Sequence, residues 1–137
     1  MKSLDTNVLA RFYVDDPTDP EAAEQRPRAR ALLEAGEPLF VPVTVVLELE
    51  WVMRAFYGFH PEDFSRVIEH LAGLPHVRVE DWPAILDAVE LHLKGLDMAD
   101  ALHLVRSDGC DQLVTFDDRR FARRARRLGT VPRVEVI

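Results

Sequence analysis

Met1-Lys-Ser-Leu-Asp-Thr-Asn-Val-Leu-Ala-Arg11 is the stretch on which the reading of the fold turns. Lys2, Ser3 and Leu4 are too few for anything but a short strand. Asp5, Thr6 and Asn7 are all residues that start helices, and Val8, Leu9, Phe12 and Tyr13 then recur at helical spacing. In an open α/β sheet, ligands bind outside the carboxyl ends of the strands, and Asp5 stands at such an end. The pattern repeats at Thr115-Phe-Asp117, where a second apolar run ends in an acid that opens a helix.

Between these two points strands and helices alternate. Asp19-Pro20 reads as an N-cap with a first-turn proline, opening a helix to about Ala35. Ala29, Leu32 and Leu33 form its inner face, and Pro27 kinks or interrupts it. Residues 39–43 read as a short buried strand. The helix from about Thr44 to Tyr57 is apolar nearly all round, Trp51 and Phe56 included, and is expected to be largely buried. Glu50 and Arg54 pair at i,i+4 as its one wet edge. Glu48 lies about 160° round the helix from Glu50, among buried positions or at the rim of a cleft. A carboxylate there needs a cation, a proton or strong hydrogen bonds.

Gly58 ends that helix. Phe64, Val67, Ile68, Leu71 and Ala72 then mark the inner stripe of another. Residues 77–80 alternate like a short strand, and Asp81 caps a helix with Trp82, Ile85, Leu86, Val89 and Leu93 facing in. A helix follows Gly95 and runs to about Asp108, with His103 packed or capping; residues 112–116 form a buried strand. Asp117 opens a helix with Phe121, Ala125 and Leu128 inside, and a last strand lies within residues 131–137. Strands alternating with helices predict an α/β fold on a mainly parallel sheet, as one domain over residues 1–137.

A chain of 137 residues with 47% hydrophobic and 30% charged residues suits one soluble globular domain. One cysteine, Cys110, excludes an internal disulfide and suits the cytoplasm. No apolar run reaches the length of a membrane span. The net charge of −7 argues against a general nucleic-acid binder, yet Arg119, Arg120, Arg123, Arg124, Arg126 and Arg127 crowd one short segment.

Each acid has a plain explanation when taken alone. Asp5 and Asp117 suit N-caps, and Asp97-x-x-Asp100 resembles a capping box. Capping gives no reason for Glu48. Taken together, Asp5, Glu48, Asp100 and Asp117 come from four segments expected to end at one rim of a sheet. Hard carboxylate oxygens suit Mg²⁺ or Mn²⁺ rather than zinc. Such a site activates water and stabilises charge on a phosphoryl group, often with two ions about 4 Å apart. The expected reaction is hydrolysis of a phosphodiester.

Leu4-Asp-Thr-Asn-Val-Leu9, Glu48-Leu-Glu-Trp-Val52, Asp97-Met-Ala-Asp-Ala-Leu-His103 and Val114-Thr-Phe-Asp117 together resemble the ordered motifs of PIN-domain ribonucleases. The likeness is greatest to the VapC-type toxins of toxin–antitoxin pairs, and it spans essentially the whole chain. It implies a three-layer α/β/α domain with a central, mainly parallel sheet of about five strands in the order 3-2-1-4-5. It also implies a Mg²⁺- or Mn²⁺-dependent endoribonuclease with Asp5, Glu48, Asp100 and Asp117 as its acidic cluster. Asp97 is similar to a further acid of some members. Thr6, Asn7 and Thr115 match positions that orient the acids or water. The expected partners are an RNA substrate, a cognate antitoxin whose tail blocks the site, and a second copy of the chain.

Arg119, Arg120 and Arg123, close to Asp117, are candidate phosphate contacts; otherwise they cover an outer face and pair with acids. A phosphatase with an aspartyl nucleophile wants an acid two residues after Asp5, where Asn7 stands. A phospho-receiver wants a late lysine, and Lys94 is the last. The remaining rival is a catalytically inactive PIN-like module that binds RNA or protein.

Overall fold

Leu4 is the last apolar residue before Asp5, and the strand before it, β1, is only Lys2–Ser3 in the computed structural model, which describes all 137 residues. Helix α1 (Thr6–Tyr13) starts at once. The chain forms two compact units, Met1–Glu80 and Asp81–Ile137.

In the first unit, α2 (Pro20–Glu34) starts from Asp19, whose Oδ1 accepts the N–H groups of Glu21 and Ala22 at 3.0 and 3.4 Å. Strand β2 (Leu39–Val41), helices α3 (Val43–Tyr57) and α4 (Pro61–Gly73) and strand β3 (Val77–Val79) complete it. The strands form a parallel sheet in the order β1-β2-β3, with Lys2 opposite Leu39 and Leu39 opposite Val77. Central position makes β2 the apolar strand: Leu39 and Val41 are fully buried. Leu9 of α1, Leu33 of α2, Leu49 and Met53 of α3, and Phe64, Ile68 and Leu71 of α4 fill the core around it.

The second unit holds α5 (Trp82–Leu93), α6 (Met98–Val105), β4 (Gln112–Thr115), α7 (Arg123–Leu128) and β5 (Arg133–Val136). One wide π-helical turn, Asp118–Ala122, precedes α7. Strands β4 and β5 pair in parallel, Gln112 opposite Arg133 through Thr115 opposite Val136. Ile85, Met98, Leu104, Phe121 and Val134 are among the core residues here. All five expected strands are present and all their pairings are parallel, in hydrogen-bonded groups of three and two. No helix is long and apolar enough to cross a membrane.

Several expectations fail for physical reasons. Helix α2 continues through Pro27 without a break. Helix α3 is not buried all round: its inner stripe is Val46, Leu49, Glu50 and Met53, an i, i+3, i+4, i+7 set facing inward. Glu50 is therefore no wet edge. It is 4% exposed and held by Arg54 Nε at 2.9 Å. Trp51 and Phe56, conversely, are 51% and 68% exposed. Leu86 and Leu93 of α5 also face solvent, and Trp82 is half-buried. A helix that is apolar on every side carries no pattern to say which side faces in.

Leu49→Ala should cost about 2–5 kcal/mol, the usual range for a fully buried leucine. Phe56→Ala, at an exposed position, should cost under about 1 kcal/mol. Urea unfolding compares the two, and equal losses would contradict this assignment of the faces of α3.

Candidate active site

In the first unit the site begins with the cap of α1. Asp5 has extended backbone (φ −87°, ψ 161°), and its Oδ1 accepts the Thr6 N–H at 2.8 Å. The cap thus engages one carboxylate oxygen, and the residue remains exposed. Thr6 is buried, and its hydroxyl donates to Glu48 Oε1. That contact exists because β1 and β2 are parallel neighbours, so that α1 and α3 leave the sheet at the same edge. Glu48 itself is exposed. It stands at the rim of a cleft of about 430 Å³ that also contains Asp5, Thr6, Asn7 and Asp19. The deep hydrogen bond and open carboxylate of Glu48 match the expectation of a cleft-edge position.

In the second unit Asp100 lies in the first turn of α6. Burial raises its carboxyl above the ordinary carboxylate range, and the negative charges of Asp97 and Asp117 raise it further, against the opposing pull of His103 and Arg120. Asp117 ends β4 and caps the π-helical turn, with Oδ1 accepting the Arg120 N–H at 2.9 Å. The Asp117 N–H donates to the Thr115 hydroxyl at 3.0 Å, which fixes the approach of the chain to the acid. Asp97 makes no cap hydrogen bond, so the capping-box reading of Asp97 and Asp100 fails. It faces Arg120 and Arg124 instead, each at 3.8 Å. His103 is exposed rather than packed.

The sequence-predicted residues thus gather as two groups. Asp5, Thr6, Asn7 and Glu48 share one cleft. Asp97, Asp100 and Asp117 share one electrostatic neighbourhood, with Thr115 behind Asp117. Within neither unit do three acidic, histidine or cysteine side chains converge tightly enough to cage an ion. The donor chemistry nevertheless fits a hard divalent cation. Asp97 and Asp117 raise the proton affinity of Asp100, and a positive charge placed among them would relieve it. Of the three candidate arginines, Arg123 is tied to Asp118 at 2.8 Å and Arg120 faces Asp97, while Arg119 is exposed.

Sequence reasoning did not place Arg11, Val52, Phe56 or Tyr57 at the cleft. The signal was available as helical spacing. Glu48, Val52 and Phe56 recur every fourth residue of α3, and Asn7 and Arg11 are four apart on α1, so each set lies on one face.

Comparison with known proteins places these residues in a wider pattern. A family model described as the PIN domain matches residues 3–127, across both compact units. The match carries the three-layer α/β/α fold class expected from the motifs. The chain is also similar to a VapC ribonuclease of Aquifex aeolicus (strain VF5), 33% identical over 122 residues, covering 87% of this chain and 89% of that protein.

The charge on Asp100 has a sign that stability measurements can read. Its folded-state pKa is raised, so its contribution to stability is present at low pH and lost as pH rises through that value. At neutral pH without metal the ionised group opposes folding. Asp100→Asn should therefore raise, not lower, the melting temperature in EDTA at pH 7.5. A clear loss of stability would show that the Asp100 charge is already satisfied within the fold.

Proposed function

The chain belongs to the PIN-domain family, and on that premise we propose that it is a metal-dependent endoribonuclease, the toxin of a toxin–antitoxin pair. The observation that carries the proposal is the state of Glu48. It is exposed in a cleft beside Asp5, bonded by a neutral hydroxyl and paired with no cation, whereas Glu50, two residues on, is neutralised by Arg54. A carboxylate held in place with its charge unanswered suits a ligand.

Asp5 and Glu48 of the first unit, and Asp100 and Asp117 of the second with Asp97 as a further acid beside Asp100, are the carboxylates that would hold Mg²⁺ or Mn²⁺. When bound, the metal neutralises charge on the scissile phosphate and activates water for in-line attack. Thr6 fixes the Glu48 carboxylate, and Thr115 fixes the backbone of Asp117; Asn7 lines the cleft. The oxygens of Asp5 and Asp117 not engaged in capping remain for the metal. Arg119, Arg120 and Arg123 supply phosphate contacts at the amino end of the last helical segment, with Arg119 the most available.

We read residues 1–137 as one PIN-like domain, supported by a family match that crosses both compact units. The protein works in the cytoplasm as a homodimer restrained by its antitoxin. These assignments follow the likeness to a VapC ribonuclease.

The test is cleavage of a mixed RNA pool by purified protein, with Mg²⁺ or Mn²⁺ and then with EDTA, beside Asp5→Asn. Asparagine caps a helix as well as aspartate does. The fold should therefore persist while cleavage falls at least about a hundredfold, beyond the usual effect of an outer-sphere change. A fully active Asp5→Asn protein, or cutting unaffected by EDTA, defeats the proposal. Metal-independent RNA binding without cutting favours the inactive module. Thr6→Val should lower the maximal rate about tenfold or more, with Thr6→Ser close to wild type; equal rates in all three would remove Thr6 from the machinery.

A further inference from the structure

The cleft beside Asp5 and Glu48 holds two residues that metal binding does not use. Arg11 of α1 is a cation at the cleft wall, and its hydrogen-bond partners are both uncharged: Gln25 Oε1 at 2.9 Å from Nε, and the Tyr57 hydroxyl at 3.4 Å from Nη1. No carboxylate lies within ion-pair distance of it. These two bonds occupy two of the five N–H donors of the guanidinium. The planar fork is thus braced in one orientation with donors to spare, the form in which arginine best receives a phosphate. Arg11 and Asn7 also line an adjoining cavity of about 270 Å³, so Arg11 stands where a strand leaving the cleft would pass.

Phe56 is at the opposite character of the same wall. It is 68% exposed, the wrong place for a phenylalanine that serves the core. Its ring is supported edge-on by Trp51, with centroids 5.5 Å apart and planes at 85°. A perpendicular neighbour steadies a ring and can cover at most one of its faces, which leaves a face of this exposed ring open to stack. Glu48, Val52 and Phe56 share one face of α3, so the ring and the acid open into one space.

We propose that Phe56 and Arg11 form a nucleotide subsite of the cleft, Phe56 stacking an unpaired base and Arg11 holding an adjacent phosphate of single-stranded RNA. The inference rests on the ribonuclease reading of the same cleft. An aromatic face and a braced guanidinium together recognise a nucleotide, where either alone recognises much else. A base inside a duplex has both faces covered, so the subsite selects unpaired RNA. Both residues act as positioning groups, holding the strand rather than touching the reacting bond.

The experiment measures binding of a fluorescein-labelled single-stranded RNA in EDTA by anisotropy, and cleavage of the same RNA in Mg²⁺, for wild type and variants. Phe56→Ala should weaken binding and raise KM about tenfold, with kcat within about twofold. Phe56→Leu should be as weak as alanine and Phe56→Tyr close to wild type, because stacking needs a ring and not merely apolar volume. Arg11→Gln should weaken binding and lessen its dependence on log salt by about 0.7, the share of one single-strand phosphate. Arg11→Lys should keep that salt dependence. Wild-type protein that binds RNA without cutting it would defeat the nuclease reading and leave the subsite standing. Wild type that fails to bind, or Phe56→Ala and Arg11→Gln proteins that bind as wild type does, would overturn the subsite. So would variants that keep RNA but lose the antitoxin, since the surface would then belong to the protein partner.

Discussion

The parallel pairing of β1 with β2 decides what the first unit can do. Two strands running the same way send their following helices off one edge of the sheet, and the register of Lys2 with Leu39 brings the starts of α1 and α3 level. Thr6 and Glu48, 42 residues apart, can then share a hydrogen bond. Asp5 arrives beside them because a strand as short as β1 ends there. An antiparallel pairing of the same segments would send α1 and α3 off opposite edges and separate these groups. The placement of ligands at the carboxyl ends of parallel strands is here a consequence of backbone direction, before any side-chain chemistry enters.

The acids serve two roles that do not compete. Asp5 and Asp117 each give one oxygen to a backbone N–H at the start of a helical segment, which fixes the carboxylate by its own chain. The second oxygen is left for another partner. A helix start favours negative charge, so these two acids sit where the backbone already welcomes them. Asp100 has no such support. It is half-buried among like charges and holds its proton more tightly than an ordinary aspartate. A group that costs stability in the metal-free fold is one that folding alone would replace, and an asparagine would fill the same space.

Where the sequence was legible, local physics and tertiary structure agreed. The strand-to-helix turns at Asp5 and Asp117 follow from residue type and spacing. So do the proline-started α2 and the inner stripe of α4, except for Ala72, which is exposed. The faces of α3 were not legible. A helix of mostly bulky apolar residues gives no preferred direction, and the stripe that turned inward contains Glu50 rather than excluding it. The pairing of Glu50 with Arg54 was visible; its burial was not, because burial depends on elements packing from other parts of the chain, α1 among them. The same error hid Phe56 and Trp51, assigned to the core on hydrophobicity alone. Asp97 shows the opposite case, in which a local motif was present and a longer-range attraction to Arg120 and Arg124 took the side chain instead.

An RNA-cutting role must also accommodate a chain with net charge −7. Long-range attraction to a polyanion is absent for such a protein, and screening at physiological salt confines each charge to about 8 Å. What matters is then the placement of cations within a screening length of the acids. Arg11 stands in the cleft of Asp5 and Glu48, and Arg120 faces Asp97, beside Asp100. A divalent metal, on the proposed reading, would supply further positive charge where carboxylates collect it. A surface acidic overall, with cations placed beside its acids, discourages indiscriminate coating of RNA.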